Sequence, residues 1–271
     1  MKLPLIPFCK YHGTGNDFIL IDNRKEIFAP NKDIIKQLCD RRFGIGADGL
    51  ILLSKKEGES LEMIYFNSDG NESTMCGNGG RCFVAYAKRL GLITKATTFK
   101  AIDGFHSATI IQDGKIDRKQ TVMNVKLGMM NVKDIEQNGD FIFMNTGSPH
   151  YVVKVPDVST INVVEEGRKI RYNERFKAKG TNVNFIQVKG DTLLVRTYER
   201  GVEDETLSCG TGVTAAALAA DYWDLFNIKG IQKISTPGGE LKVHYKRVGN
   251  NFEHVFLEGN ATFVFEGVVE V

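Results

Sequence analysis

Short apolar runs, many of them alternating with polar residues, predict β-strands along most of the chain. In the first half these runs are DFILID (17–22), GLILL (49–53), LEMIYF (61–66), TTFKAI (97–102) and HSATII (106–111). In the second half they are FIFMN (141–145), YVVKV (151–155), NFIQV (184–188), TLLVRTY (192–198), GELKVHYKR (239–247), HVFLEG (254–259) and ATFVFEGVVEV (261–271).

Helical patterns are fewer, at 31–41, 77–91, 161–172 and the Ala-rich 210–223. Asn31 is the expected N-cap of the first helix, and Gly91 is the expected stop of the second. Because so few helices cannot connect every pair of strands, the pattern favours a mixed α+β fold over a doubly wound parallel sheet.

The chain contains an internal repeat that predicts two related domains. ESTMCGNG (72–79) and ETLSCGTG (205–212) share Glu, a hydroxyl residue and Cys-Gly-x-Gly at an offset of 133 residues, and TGND (14–17) matches TGSP (146–149) at nearly the same offset. In both halves the Cys-Gly-x-Gly element lies between a predicted strand and the best predicted helix. We therefore expect each half to fold around its own core and to present the same loop to a shared cleft, with 113–120 as the linker.

The composition narrows the classes of function. The 271 residues are 42% hydrophobic and 25% charged, with a net charge of +2, and no basic stripe with interleaved aromatics predicts a nucleic-acid partner. We expect no membrane span and no signal peptide at the N-terminus. Five irregularly spaced cysteines indicate reduced thiols in a cytoplasmic protein rather than a disulfide framework, and none has metal-site spacing.

The repeated loop places Cys76 and Cys209 directly before a helix that starts with Gly-x-Gly. Unpaired N–H groups and the positive end of a helix dipole stabilise a thiolate, and glycines let a carboxylate approach the backbone. Two such thiols facing one cleft suggest a pair of proton carriers on opposite faces of one carbon, about 6 to 7 Å apart. The carboxylate of the carbanion would be held by the N–H groups around four loop residues, Gly77, Asn78, Gly210 and Thr211.

Other polar residues are candidates for reading an amino acid. Arg200 suits a carboxylate and Glu199 an ammonium group, and the amides of Asn16, Asn67 and Asn182 offer donors and acceptors.

Structural interpretations stand beside these functional ones. Cys9, Cys39 and Cys82 are expected to be core residues, and His150 can equally be a structural histidine. Glu72 and Glu205 can be capping residues, and the glycine-rich loops can hold phosphate, although neither carries a P-loop or dinucleotide-binding motif.

Six motifs together resemble the diaminopimelate epimerase family, in order and across nearly the whole chain. They are HGTGNDF (12–18), DRRFGIGADG (40–49), FNSDGNESTMCGNGGRC (66–82), GSPH (147–150), GTNVNF (180–185) and ERGVEDETLSCGTG (199–212). The resemblance implies an enzyme without a cofactor that interconverts LL- and meso-2,6-diaminopimelate in the pathway to lysine and peptidoglycan precursors. It also implies a cytoplasmic enzyme, often a homodimer, that acts on a small amino acid.

The resemblance further implies two pseudo-symmetric domains, each a mixed, barrel-like sheet around a central helix, with the active site in the cleft between them. The expected domains are 1–118, to which the final strand 261–271 returns, and 119–260. The catalytic residues carried over are Cys76, Cys209, His150 and Glu199, with no metal. The carried-over substrate contacts are Asn16, Asn67, Gly77, Asn78, Ser148, Asn182, Glu199, Arg200, Gly210 and Thr211.

Three departures from the family pattern concern substrate contacts. Ser148 stands where Asn is frequent, Gly49 stands where some members carry Gln, and the run from Arg200 to Cys209 looks one residue longer, which suggests a bulge after Gly201. The alternative function is a proline racemase or hydroxyproline epimerase of the same fold, and a non-catalytic amino-acid-binding protein is the rival from another class. A cyclic imino acid lacks the distal groups that Arg200, Asn67 and Asn182 would bind.

Overall fold

The computed structural model describes residues 4–55, 58–117 and 120–271. The chain forms two compact units, one of Met1–Leu127 with Gly259–Val271 and the other of Gly128–Glu258. Helices are few among many strands, so the prediction of a mixed α+β fold is confirmed.

The elements of the first unit are β1 (Leu5–Gly13), β2 (Asn16–Asp22), α1 (Lys32–Cys39), β3 (Gly49–Ser54), β4 (Leu61–Asn67), β5 (Glu72–Ser73), α2 (Gly77–Arg89), β6 (Ala96–Ala101), β7 (Gly104–Asp117) and β8 (Gln120–Gly128). Those of the second unit are β9 (Glu136–Asn138), β10 (Phe141–Asn145), β11 (Pro149–Lys154), α3 (Val163–Arg171), β12 (Asn182–Lys189), β13 (Thr192–Glu199), β14 (Asp204–Thr206), α4 (Gly210–Tyr222), β15 (Ile231–Thr236) and β16 (Gly239–Val248). The last strand, β17 (Asn251–Glu270), begins in the second unit and ends in the first.

The first unit is a closed ring of strands. Pairing runs from β1 through β2, β3, β4, β6, β7, β8 and β17 and returns from β17 to β1. Helix α2 contacts β1, β2, β3, β4 and β7, and nearly all of its residues are buried. The ring therefore encloses α2 as its central helix, as the resemblance implied.

The second unit repeats the same order of pairing. The parallel pair β2 and β3 corresponds to the parallel pair β11 and β12, and the parallel pair β4 and β6 corresponds to β13 and β15. Helix α4 packs on β10 to β13, β15 and β16, and its alanines fill the core because they let the strands approach closely.

Helix ends follow the local sequence signals. Asn31 caps α1 by accepting hydrogen bonds from the N–H groups of Asp33 and Ile34, as expected. Gly91, with φ of 70°, follows α2 in the left-handed conformation that ends a helix, so its prediction as a stop is confirmed.

The predicted linker 113–120 is wrong where the structure describes it. Residues 113–117 continue β7 and Gln120 begins β8, because the two strands form an antiparallel hairpin here. The expected boundary between 118 and 119 lies outside the described residues.

Candidate active site

Both repeat cysteines are the residue immediately before a central helix. Cys76 precedes α2 and Cys209 precedes α4, each with an extended backbone (φ −91° and −110°). No acidic side chain lies in the first turn of either helix. The positive end of each helix dipole is therefore free to favour a thiolate or a bound carboxylate.

A set of polar side chains surrounds Cys76, and we call Asn16, Asp48, Cys76 and Asn78 the Cys76 cluster. The Cys76 Sγ lies 3.5 Å from Asn16 Oδ1, which also accepts a hydrogen bond from Asn78 Nδ2 at 3.2 Å. Asn16 Nδ2 donates to Asp48 Oδ2 at 2.7 Å. Because a carboxylate only accepts, Asp48 fixes the orientation of the Asn16 amide, and the thiol is the donor toward Asn16 Oδ1.

Asn16 is presented by a tight turn. Thr14 and Gly15 both have positive φ, 51° and 85°, between the paired residues Gly13 and Asn16 of β1 and β2. This is the two-residue type I′ hairpin, which needs φ above zero at both positions and so favours glycine. The TGND motif is therefore the turn that aims Asn16 at Cys76.

An ion-pair network stabilises the neighbouring loop between α1 and β3. Arg41 contacts Asp17 and Asp48, each at 2.7 Å, and Lys10 contacts Asp17 at 2.9 Å and the carbonyl of Gly46. Burial alone would raise the pKa of Asp17, but the hydrogen bonds from Arg41 and Lys10 outweigh it and hold that pKa at about 2. Asp48 is thereby held against Asn16.

Asn67 ends β4 opposite Gly49. Its backbone N–H donates to Asn71 O at 3.0 Å and closes the turn into β5. Asn67 is half-buried at this end of the strand.

The polar set near Cys209 differs, and we call Ser148, His150, Asn182, Arg200 and Cys209 the Cys209 cluster. The Cys209 Sγ lies 3.5 Å from Thr211 Oγ1, a hydroxyl that can donate to a thiolate. Thr146 Oγ1 donates to Thr211 O at 2.8 Å, so the TGSP turn supports the start of α4.

His150 is fully buried and neutral. Burial first, and then the charge of Arg200, lowers its pKa to about 3. Thr197 Oγ1 donates to Asn184 Oδ1 at 3.0 Å, so Asn184 Nδ2 donates to His150 Nδ1 at 3.1 Å. Nδ1 therefore accepts this hydrogen bond, and the Nδ2 group of Asn182 lies 3.5 Å from the other ring nitrogen, Nε2.

His150 and Cys209 meet at Gly212. A Cβ on Gly212 would lie 3.3 Å from both His150 Cε1 and Cys209 Cβ and only 2.4 Å from Asn184 Oδ1. Glycine at this position thus allows the helix, the thiol and the histidine to pack together.

Arg200, Asn182 and Ser148 are linked by hydrogen bonds. The Arg200 N–H donates to Asn182 Oδ1 at 2.8 Å, Asn182 Nδ2 donates to Ser148 Oγ at 3.0 Å, and Arg200 Nη2 lies 3.4 Å from the same hydroxyl. Glu199 ends β13 and accepts from Thr206 Oγ1 at 2.8 Å. Residues 200–203 form a turn in which Gly201 and Glu203 have φ of 95° and 59°.

Sequence reasoning selected the two cysteines as candidates but did not select the residues that orient the polar side chains around them. These residues are Asp48, Arg81, Asn184, Thr197 and Thr206. Asp48 lies 32 residues from its partner Asn16, so no local pattern marks it. Arg81 contacts Asn78 and Gly77, three and four residues earlier in α2, but the sequence does not show that its side chain is buried against them.

The glutamates of the repeat do not lie at the helix starts. Glu72 is in β5, and Glu205 is in β14, where it pairs with Arg196 at 2.7 Å. The capping interpretation is therefore wrong for both.

Cys9, Cys39 and Cys82 are buried, as expected of core residues. Burial raises the pKa of the Cys9 thiol to about 11 and that of the Cys39 thiol to about 12.

Within the described ranges, no three His, Cys, Asp or Glu side chains are grouped so as to hold a metal ion. None of the helices in the same ranges has the length and apolar character of a membrane-spanning helix.

Comparison with known proteins identifies the family. The diaminopimelate epimerase family model matches residues 8–128 and 142–264, that is, each copy of the repeat. A diaminopimelate epimerase from Flavobacterium psychrophilum is 50% identical over 262 residues, covering 96% of this chain and 98% of that protein. A second, from Aquifex aeolicus, is 39% identical over 274 residues and covers 96% of each chain.

A solved structure shares the fold at much lower identity. The hydroxyproline epimerase from Agrobacterium vitis matches with a TM-score of 0.71 and 13% identity, covering 100% of this chain and 94% of that one. The family match and the identity to curated relatives over nearly the full length point the same way, and the chain is an isomerase of the diaminopimelate epimerase family.

Proposed function

We propose that this protein epimerises LL-2,6-diaminopimelate to meso-2,6-diaminopimelate by a two-base mechanism that uses Cys76 and Cys209. The observation that carries the proposal is the repeated placement of a thiol at the start of a central helix, with the second thiol 3.5 Å from a hydroxyl and the first 3.5 Å from an amide oxygen. The 50% identity to a diaminopimelate epimerase supports the choice of substrate.

In the proposed reaction one cysteine, as thiolate, takes the α-proton, and the electron pair of the broken C–H bond remains on the α-carbon. The other cysteine, as thiol, gives its proton to the opposite face, so the centre inverts and the thiolate moves to the second sulfur. Exchange with solvent restores the starting protonation. Because the protons move between the two thiols, the scheme uses no cofactor.

The start of each helix has groups suited to the carbanion. N–H groups at Gly77 and Asn78, and at Gly210 and Thr211, belong to the first turns of α2 and α4. Donors fixed in advance stabilise developing carboxylate charge more than water does.

Polar side chains of both units suit the charged groups of the substrate. We propose that Arg200 binds a carboxylate, that Glu199 meets an ammonium group, and that Ser148, Asn182, Asn16 and Asn67 complete the contacts. His150, neutral and buried, is proposed to support Cys209 by packing and orientation rather than as a charged acid.

In the cell we propose a cytoplasmic enzyme, working as a homodimer, whose product supplies lysine and peptidoglycan synthesis. Sedimentation of the purified protein tests the dimer.

The test of function is proton NMR of LL-diaminopimelate in D2O with a reducing agent, with proline and hydroxyproline in parallel. We expect the α-proton signal to fade as meso product forms, no change in proline, and loss of at least about 10³-fold in turnover for Cys76→Ala and Cys209→Ala. Exchange of proline alone would move the assignment to the racemase alternative. Binding of diaminopimelate without exchange would indicate an amino-acid-binding protein.

A further inference from the structure

Arg81 is a buried cation in the first turns of α2. It has no exposed surface, and burial lowers its pKa, opposed by the nearby Cys82 and Cys76. In the described part of the chain it forms no ion pair with a carboxylate. Burying a cation without a carboxylate partner is costly, so the presence of Arg81 beside Cys76 calls for a role.

Arg81 contacts Asn78 of the Cys76 cluster and two residues beside that cluster, Thr14 and Gly77. Nη2 donates to Asn78 Oδ1 at 2.9 Å and lies 3.4 Å from Thr14 Oγ1, and Nη1 donates to Gly77 O at 3.1 Å. Its Nε is buried and has no hydrogen-bond partner among the described residues.

These bonds determine which way the Asn78 amide points. A guanidinium has donors only, so the oxygen of Asn78 must face Arg81 and the Nδ2 group must face Asn16. At the other end Asp48 requires the Nδ2 group of Asn16, and so Asn16 presents Oδ1 to both Asn78 and Cys76. Arg81 and Asp48 thus set the two ends of one directed chain of hydrogen bonds.

The other unit has a neutral residue at the matching place. At the repeat offset of 133 residues Thr214 replaces Arg81, and its hydroxyl donates to Gly210 O at 2.9 Å as Arg81 donates to Gly77 O. The bond to the carbonyl of the first helical residue is therefore common to both units, whereas the charge and the bond to the side chain of Asn78 occur at Arg81 and not at Thr214.

We propose that Arg81 is a positioning residue. It holds the Asn78 amide, and through Asn78 the Asn16 amide, in the orientation in which these amides contact the Cys76 thiol and the substrate. The proposal rests on the proposed function for its substrate. It also has a consequence without substrate, because the contact between Asn16 and Cys76 influences how fast the thiol is alkylated.

The test is a double-mutant cycle of wild type, Arg81→Met, Asn78→Ala and the double variant, with kcat and KM for diaminopimelate and the rate of Cys76 alkylation by iodoacetamide followed by mass spectrometry. Because a misplaced contact can cost up to about 100-fold, we expect Arg81→Met to lower kcat/KM at least about tenfold, mainly through kcat. In the Asn78→Ala background the same change is expected to cost less than about threefold. An equal loss in both backgrounds would overturn the proposal.

Further variants separate orientation from charge and from stability. Arg81→Lys keeps the positive charge but lacks the planar guanidinium that donates to Asn78 and Gly77 at once. Wild-type kcat/KM and alkylation rate in Arg81→Lys would therefore contradict a role in orientation. Thr214→Val removes the matching carbonyl bond and is expected to leave Cys76 alkylation unchanged; a change equal to that of Arg81→Met would also refute the proposal. Arg81→Gln replaces Arg81→Met in the cycle if denaturation shows the latter to be unfolded.

The two readouts distinguish the two proposals. If the wild-type protein does not epimerise diaminopimelate, the proposed function fails, and the alkylation cycle alone decides the role of Arg81. If the wild type is active and neither readout shows coupling between Arg81 and Asn78, only the Arg81 proposal fails.

Discussion

His150 shows at the scale of one residue how burial links a titratable group to stability. Its pKa is lowered from 6.5 to about 3 in the folded protein, chiefly by burial. Below pH 6.5 the unfolded chain therefore binds a proton that the folded protein does not. The stabilising effect of a neutral His150 is fully present above pH 6.5 and is lost as the pH falls toward 3.

We expect the free energy of unfolding of the wild type to fall, between pH 6 and pH 4, more steeply than that of His150→Gln. One bound proton corresponds to a difference in slope of about 1.4 kcal/mol per pH unit. Urea denaturation at several pH values measures both slopes, and the other histidines cancel in the comparison. Parallel slopes would show that His150 titrates normally in the folded state.

At the scale of elements, the two central helices meet their strands differently at the second glycine of the repeat. A Cβ on Gly212 would lie 2.4 Å from Asn184 Oδ1, a side chain held by Thr197 and His150. A Cβ on Gly79 would lie 3.1 Å from Ile51 Cδ1, the end of a flexible apolar side chain. The start of α4 therefore tolerates less added volume at this glycine than the start of α2.

We expect Gly212→Ala to lower the free energy of unfolding by about 1–3 kcal/mol because it overpacks a fixed polar network. Gly79→Ala is the matched control, where the better helix propensity of Ala offsets a small displacement of Ile51, giving a change below about 1 kcal/mol. Denaturation and kcat/KM of both variants check this. A larger loss for Gly79→Ala would contradict the packing argument.

The sequence did not predict strands β1 and β15, and in each case one residue explains why. In β1, Pro7 interrupts the pattern, but it lies in the part of β1 that pairs only with β17, where a missing N–H is tolerated. In β15, buried Gln232 occupies an inward position and breaks the apolar alternation. Runs such as GLILL, buried throughout, were predictable because nothing polar interrupts them.

The residues of the candidate site also differ in whether a local sequence pattern marks them. Cys76 and Cys209 could be selected as candidates because the repeat marks them locally. Asn184 and Thr197 were not, since each is one polar residue in a strand and matters only through a partner across the sheet.

At the scale of the whole molecule, the duplication leaves the first unit dependent on the last residues of the chain. Thr262 of β17 pairs with His12 of β1 on one side and with Val122 of β8 on the other. The ring of the first unit is therefore closed by a strand whose residues pair with residues of β8, the preceding strand of the ring, that lie 136 to 140 positions earlier in the sequence. Such long-range closure makes β17 the place where this unit can be opened selectively.

We expect Thr262→Pro to open the ring, because proline cannot be accommodated in a strand paired on both sides. Hydrogen exchange should show amides of β1 and β8 losing protection while those of β12 and β13, in the second unit, keep it. Glu270→Pro is the matched control, since Glu270 pairs only with Leu5 at the end of the ladder, and it should change protection little. Equal loss of protection in β12 and β13 would mean that the two units unfold as one cooperative body, and that closure by β17 stabilises both.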